Sequence, residues 1–120
     1  MSQVLIVDDD PGLRRIAKTA LSLDGNKVLL ASDGLEALEI LSREPVNLMI
    51  VDLVMPLMPG MDGRSTVKEA RREGYTGPVL IVSEYEAGTA VNDLRADAML
   101  GKPFEILDFL SCVHDLLDRP

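Results

Sequence analysis

The sequence predicts an α/β fold in which one parallel sheet lies between two layers of helices. Five short apolar runs recur along the chain, and segments with helical spacing separate them. The first four runs are almost continuously apolar and rich in Val, Ile and Leu, which is typical of strands buried on both faces. Regular alternation of strands and helices favours parallel pairing with helices on both sides of the sheet. The five runs are residues 4–7, 28–31, 48–51, 79–82 and 98–100.

Local signals indicate where the first two helices begin. Asp10 is a candidate N-cap, and Pro11 follows at the first helical position, where its missing N–H is not needed. Asp33 and Glu36 have the spacing of a capping box at the start of the second helix. Pro45 is expected to end that helix because proline cannot donate to the preceding turn.

Three further helical segments are predicted. The first runs from about residue 62 to residue 72. The next lies between residues 83 and 102, is weakly patterned, and contains Gly88, which lowers helix propensity. The last is strongly amphipathic. Its apolar positions are Ile106, Phe109, Leu110, Val113 and Leu117.

Composition narrows the possible partners. The net charge of −8 and the low aromatic content of 3% disfavour direct DNA binding, since phosphate backbones are repelled and bases find no stacking surface. The densest basic stretch, residues 68–72, is diluted by Glu69 and Glu73. A single cysteine and the lack of an apolar run near the roughly 20 residues that span a membrane favour a cytoplasmic protein without membrane contact. We expect one domain over residues 1–120 and no output domain.

Polar residues capable of chemistry follow four of the five apolar runs. Asp8 and Asp9 follow the first run, Asp52 the third, Ser83 the fourth, and Lys102 comes shortly after the fifth. In open α/β sheets, ligands bind at the carboxyl ends of the strands. The sequence therefore predicts that these side chains share one site.

The chemistry of this set favours a divalent cation and a phosphoryl group. Clustered carboxylates repel one another, and a cation such as Mg²⁺, or alternatively Mn²⁺, relieves the repulsion. A carboxylate can attack phosphorus to form an aspartyl phosphate. That transfer mainly needs positioning and charge neutralisation, which a metal, an ammonium and a hydroxyl can supply.

The chain resembles the receiver domains of two-component response regulators over almost its whole length. The matching strings are LIVDDDPGLRR, MIVDLVMPLMPGMDG, VLIVSE and LGKPF, in the family's order and spacing. The resemblance implies a flavodoxin-like (βα)5 three-layer sandwich with strand order 2-1-3-4-5. It also implies phosphoryl transfer from a histidine kinase or a histidine phosphotransfer protein, and protein binding that depends on phosphorylation. Such a protein is not a conventional enzyme, although it assists its own phosphorylation and dephosphorylation.

The same resemblance assigns a role to each residue of the site. It implies that Asp52 is phosphorylated, that Ser83 donates a hydrogen bond to the phosphoryl group, and that Lys102 pairs with it. The implied metal ligands are Asp8, Asp9, Asp52 and the backbone carbonyl of Val54. His114 and Cys112 are interpreted as ordinary residues of the last helix.

Three features depart from the family pattern. Met99 stands where an aromatic residue is usual, three positions before the lysine. Glu84 stands where a small residue usually follows the hydroxyl residue. The stretch between Ser83 and Lys102 is short, which predicts a short or irregular helix there and an altered partner surface.

Two other functions compete with the phosphorylated switch. The opening Asp8-Asp9-Asp10 superficially matches a phosphatase of the haloacid dehalogenase type, but such an enzyme would leave Asp52 unexplained. A protein-binding module that works without phosphorylation is the other alternative. The complete set of acids, serine and lysine argues against it, whereas the departures at Met99 and Glu84 keep it open.

Overall fold

The computed structural model describes residues 2–53, 61–83 and 94–118. Within these residues the chain forms five strands and four helices. The strands are β1 (Gln3–Val7), β2 (Lys27–Ala31), β3 (Leu48–Asp52), β4 (Val79–Ser83) and β5 (Ala98–Gly101). The helices are α1 (Pro11–Leu23), α2 (Gly34–Arg43), α3 (Gly63–Arg72) and α4 (Ile106–Leu117).

The five strands pair in parallel in the order β2-β1-β3-β4-β5, which confirms the predicted topology. The register aligns the strand ends across the sheet. Val7 pairs with Val51, and the next residue of β3, Asp52, pairs with Val82. Ser83 pairs with Gly101, the last residue of β5. The residues expected to react therefore lie together at the carboxyl ends of the strands.

Alternation along the strands builds two cores. On β1, Leu5 and Val7 pack into the core that α2 and α3 cover, while Val4 and Ile6 pack into the core beneath α1 and α4. All four side chains are buried, and each contributes roughly 1.5–3 kcal/mol of transfer free energy. The predicted three-layer sandwich is confirmed.

The prediction that the second apolar run is buried on both faces is wrong for most of its length. In β2, Lys27 is exposed, Val28, Leu29 and Leu30 are half-buried, and only Ala31 is buried. The physical reason is position, because β2 is an edge strand and lacks a neighbour on one side. A run of apolar residues does not reveal which strand lies at the edge.

The predicted helix starts are confirmed with one change. Asp10 Oδ1 accepts hydrogen bonds from the N–H groups of the first turn of α1, and Asp33 Oδ1 accepts one from Glu36 N at 2.8 Å. The Glu36 carboxylate reaches Ser32 N at 2.9 Å, one residue before the cap, instead of Asp33 itself. The α2 helix ends at Arg43, just before Pro45.

The helix predicted between β4 and β5 falls mostly on residues 84–93, which lie outside the described part of the chain. The described part of that segment begins at Leu94, which is buried in the core beneath α2 and α3. Among the helices that are described, none is long and apolar enough to cross a membrane.

Candidate functional site

Three of the predicted site residues stand at the ends of adjacent strands. Asp52 and Ser83 are the last residues of β3 and β4, and Asp8 directly follows β1. Asp8 continues the ladder, because its N–H donates to the carbonyl of Ala31 on β2 at 3.1 Å. Asp8, Asp52 and Ser83 are all buried. Buried polar side chains need hydrogen-bond or charge partners, so we expect these three residues to interact at the carboxyl end of the sheet.

Lys102 joins the two buried carboxylates. Its Nζ lies 2.8 Å from Asp52 Oδ2 and 3.0 Å from Asp8 Oδ2. The backbone also fixes this lysine, since Lys102 N donates to the carbonyl of Ser83 at 2.8 Å. The Lys102–Pro103 peptide bond is cis. The structure thus places Lys102 in direct contact with two of the strand-end acids.

Asp9 completes a cluster of three acids. One carboxylate oxygen from each of Asp8, Asp9 and Asp52 lies within 4.8 Å of the others. Asp8 and Asp52 are buried, whereas Asp9 is half-buried and forms the solvent side of the cluster. Hard oxygen ligands with one open side suit Mg²⁺, which keeps several of its waters. The donor set present therefore fits a divalent cation.

The electrostatics of the cluster follow from burial. Burial raises the pKa of the Asp8 carboxyl, although hydrogen bonds from Asp10 N and from Lys102 oppose the rise. Burial alone would lower the pKa of Lys102, but its hydrogen bonds to Asp52 and Asp8 outweigh that effect and the pKa is raised. The ammonium thus stays charged, and it neutralises only part of the negative charge of the three carboxylates.

Two further predicted residues cannot be placed. Val54, whose carbonyl was expected to bind the metal, lies outside the described residues, and so does Glu84. Met99 is described. It is half-buried and packs against the core beneath α2 and α3, at the position that pairs with Ile81 of β4.

Sequence reasoning missed two residues that shape the site. Arg14, one turn into α1, donates from its guanidinium to the carbonyl of Asp8 at 2.6 Å and so fixes the turn that carries the acids. Gly63 begins α3, and a Cβ at that position would lie 1.9 Å from the carbonyl oxygen of Asp52. Two features of the sequence could have indicated these roles. Arg14 lies four residues after the N-cap Asp10, and Gly63 directly follows the N-cap Asp62.

The geometry disfavours the phosphatase alternative. Asp10, which would be the second acid of such a motif, is exposed and caps α1 through bonds to Gly12 N and Leu13 N. Of the later acids, Asp108 and Asp115 lie on α4 and are exposed. The phosphatase interpretation also gives no role to Asp52, whose Oδ2 lies 2.8 Å from Lys102 Nζ.

Comparison with known proteins identifies the family. A parallel sheet of order 2-1-3-4-5 with acids and a lysine at its carboxyl edge is the architecture of a CheY-like receiver. Residues 4–114 match the family model described as "Response regulator receiver domain". The chain belongs to this family, whose members act as phosphoacceptors in two-component signalling.

Curated relatives agree with this assignment. The chain is 36% identical to "Response regulator MprA" of Mycobacterium leprae (strain TN), and the match covers 98% of this chain and 51% of that protein. It is 33% identical to "Probable transcriptional regulator ycf27" of Porphyridium aerugineum, covering 98% of this chain and 48% of that protein. The chain thus spans about half the length of the curated relatives it matches.

Solved structures agree with the fold. Chemotaxis protein CheY4 of Vibrio cholerae superposes with a TM-score of 0.89 at 28% identity, covering 98% of this chain and 99% of that one. Response regulator protein TrrA of Thermotoga maritima, solved in complex with Mg(2+)-BeF, superposes with a TM-score of 0.84 at 27% identity, covering 98% of this chain and all of that one.

Proposed function

We propose that Asp52 accepts a phosphoryl group from a histidine kinase or a histidine phosphotransfer protein in a Mg²⁺-dependent reaction. The observation that carries this proposal is the bridge from Lys102 Nζ to both Asp52 and Asp8, beside the third acid, Asp9. If Lys102 only formed an ion pair that stabilises the fold, one carboxylate would be enough to balance its charge. Three acids and one ammonium leave negative charge for a cation to neutralise.

The proposed step forms one bond and breaks one. A carboxylate oxygen of Asp52 attacks phosphorus as the phosphorus–nitrogen bond of the donor histidine breaks, and the electron pair of that bond stays on the imidazole nitrogen. Lys102 Nζ, 2.8 Å from Asp52 Oδ2, shifts its hydrogen bond to a phosphoryl oxygen. The Ser83 hydroxyl, at the end of the adjacent strand, donates to another oxygen.

The metal would be held by Asp8, Asp9 and Asp52, with the Val54 carbonyl as a further ligand that the family resemblance implies. When bound, Mg²⁺ or Mn²⁺ supplies positive charge that the phosphoryl oxygens share. Arg14 and the Asp10 N–H keep the acid-bearing turn in place, because they bond to the carbonyl and Oδ1 of Asp8. Phosphorylation would add about −1.5 to −2 charge at Asp52. By these roles the domain is not a conventional enzyme, since it reacts on its own side chain.

A groove beside Lys102 supports a protein phosphodonor. It has a volume of about 530 Å³ and lies between the start of α1 and the start of α4. Ile16 and Ile106, which both line the groove, are 58% and 37% exposed and offer apolar surface to a partner. The groove is lined by Asp10, Leu13, Ile16, Lys102, Pro103, Phe104 and Ile106. A donor protein that covers these residues would contact Lys102, whose Nζ lies 2.8 Å from Asp52 Oδ2.

The output is proposed to be protein binding, with no direct DNA contact by this domain and no membrane contact. The net charge of −8 supports this part of the proposal because phosphate surfaces are repelled. The identity of the output partner is left open.

Acetyl phosphate tests the proposal without a kinase. The protein is incubated with the donor and Mg²⁺, and its intact mass is measured. We expect one added phosphoryl group in the wild type and in the control variant Asp115→Asn, which changes an exposed acid of α4. Asp52→Asn should abolish the label, and EDTA should suppress it.

Each failure has a meaning. Label that survives Asp52→Asn and disappears in Asp8→Asn would establish the phosphatase reading. If no label forms with Mg²⁺ or Mn²⁺, or with a phosphorylated histidine protein as donor, the domain is a binding module that works without phosphorylation.

A further inference from the structure

Folding assembles a basic pocket that is not visible along the chain. Lys68, Arg71 and Arg72 come from the second half of α3, and Arg95 comes from the turn before β5. Together with Leu94 they line a pocket of about 200 Å³. Four of the chain's 12 lysines and arginines therefore gather at one place on a protein of net charge −8.

Arg71 builds this pocket by tying the two elements together. Its guanidinium donates to the carbonyl of Arg95 at 2.6 Å and to the carbonyl of Gly77 at 2.7 Å. The Arg71 side chain is only 10% exposed, and its guanidinium also lies 3.8 Å from the Asp97 carboxylate, so its charge is paired within the protein. Arg95 has a φ of 54°, in the left-handed region that few non-glycine residues adopt. The hydrogen bond from Arg71 holds this turn against α3 and fixes the backbone of Arg95.

The other three cations of the pocket, Lys68, Arg72 and Arg95, are exposed. Arg72 pairs with Glu69, but the Arg72 side chain is 76% exposed, and such surface pairs contribute about 0–1 kcal/mol. Lys68 and Arg95 are exposed, and neither forms an ion pair with another residue in the part of the chain that the structure describes. Basic residues in the last turn of α3 favour its dipole, which accounts for Arg71 and Arg72. That explanation does not cover Arg95, which lies on another element.

We propose that this pocket, between the end of α3 and the start of β5, binds an acidic segment of a protein partner. The cations of the pocket come from two elements of the fold. The pocket lies at the C-terminus of α3, where the helix dipole is unfavourable for a single small anion, and no helix N-terminus points into it from the residues that line it. Several carboxylates spaced along a peptide can engage Lys68, Arg72 and Arg95 together. A nucleic acid fits less well, because a protein of net charge −8 repels an extended phosphate backbone, and the described residues that line the pocket include no aromatic side chain for a base to stack on.

The pocket is also connected to the acid cluster. The α3 helix begins at Gly63, packed on the carbonyl of Asp52, and ends at the pocket. The proposal goes beyond phosphorylation and does not depend on it. Its test uses the unphosphorylated protein, so a failure here leaves the proposed function of Asp52 untouched.

The test is a titration of the ¹⁵N-labelled full chain with three separate probes: a synthetic glutamate-rich peptide, inorganic phosphate and a short DNA duplex. We expect the peptide alone to shift the amide signals of Lys68, Arg72 and Arg95, and added salt to weaken its binding. The double variant Lys68→Gln/Arg95→Asn should bind the peptide roughly tenfold more weakly, as the loss of two exposed ion pairs predicts. Asparagine is chosen at position 95 because it tolerates positive φ.

The control is the double variant Lys18→Gln/Lys27→Gln, which removes the same charge from two exposed lysines outside the pocket. It should bind the peptide within about twofold of the wild type. Equal weakening in both double variants would overturn the proposal, since net charge alone would then explain binding. Binding of phosphate or DNA at these signals without the peptide, or binding of none of the three probes, would overturn it as well.

Discussion

Replacing Lys102 by methionine should destabilise the metal-free protein, by an amount that depends on pH. The substitution keeps most of the side-chain volume but removes the ammonium that lies 2.8 and 3.0 Å from two buried carboxylates. Breaking a buried ion pair from one side typically costs about 3–5 kcal/mol because a charge stays buried without its partner. The Lys102 side chain is 15% exposed, which places the site in this class.

Proton uptake sets the upper limit of this loss. When the ammonium is gone, a carboxylate of the pair can bind a proton instead. At pH 7, protonating an acid with an ordinary pKa near 3.9 costs about 4 kcal/mol, since each pH unit is worth about 1.36 kcal/mol. We therefore expect a loss of roughly 3–4 kcal/mol at pH 7 and about 1.5 kcal/mol at pH 5. The sign follows from linkage, because an acid whose pKa is raised by folding destabilises the fold less as pH falls.

Urea unfolding followed by circular dichroism measures this loss, with EDTA present at both pH values. The chain has no tryptophan, so backbone dichroism is the suitable signal. Lys18→Met, at an exposed position of α1, is the control and should change the free energy of unfolding by less than about 0.5 kcal/mol. An unfolding free energy of Lys102→Met equal to that of Lys18→Met at pH 7, or a loss as large at pH 5 as at pH 7, would show that Lys102 does not stabilise the fold by pairing with buried carboxylates.

Two further predictions concern other parts of the fold. The hydrogen bond and charge of Asp24 raise the pKa of His114. An NMR titration of the imidazole should therefore give a pKa above 6.5 in the wild type and a pKa closer to 6.5 in Asp24→Asn. An equal pKa in the two proteins would contradict the pairing. That pair stabilises the protein below pH 6.5, and its contribution is lost as pH rises through the raised pKa. Gly63→Ala should cost about 1–3 kcal/mol in urea unfolding, because its Cβ would lie 1.9 Å from the Asp52 carbonyl. Gly101→Ala, which meets nothing within 4 Å, should be nearly neutral, and equal losses in the two variants would argue against the close contact.

Most of the fold could be predicted because each element carries its own local signal. Apolar runs predicted the strands, and cap residues such as Asp10 and Asp33 predicted the helix starts. The apolar content of β2 does not reveal that this strand lacks a neighbour on one side, and only the strand order implied by the family resemblance placed it at the edge of the sheet. The exact end of β3 and β4 was also missed, because Asp52 and Ser83 continue the ladder although they are polar.

The site was predictable to the extent that its residues follow strands. Asp8, Asp52 and Lys102 lie far apart in the chain, and the strand order alone brings them into contact. Arg14 was missed because a basic residue on a helix usually faces solvent, and only the fold shows that it reaches the Asp8 carbonyl. The basic pocket was missed for the same reason, since Arg95 is 24 residues from the Arg71 guanidinium that holds its carbonyl.

Borohydride reduction can locate the residue that takes the phosphoryl group, which we propose to be Asp52. The reaction converts an aspartyl phosphate into homoserine, whose position peptide mass spectrometry identifies. After treatment with acetyl phosphate and Mg²⁺, we expect homoserine at position 52 and unmodified aspartate at positions 8 and 9. Homoserine at position 8 or 9, or at no position in a protein that has gained a phosphoryl group, would contradict the account.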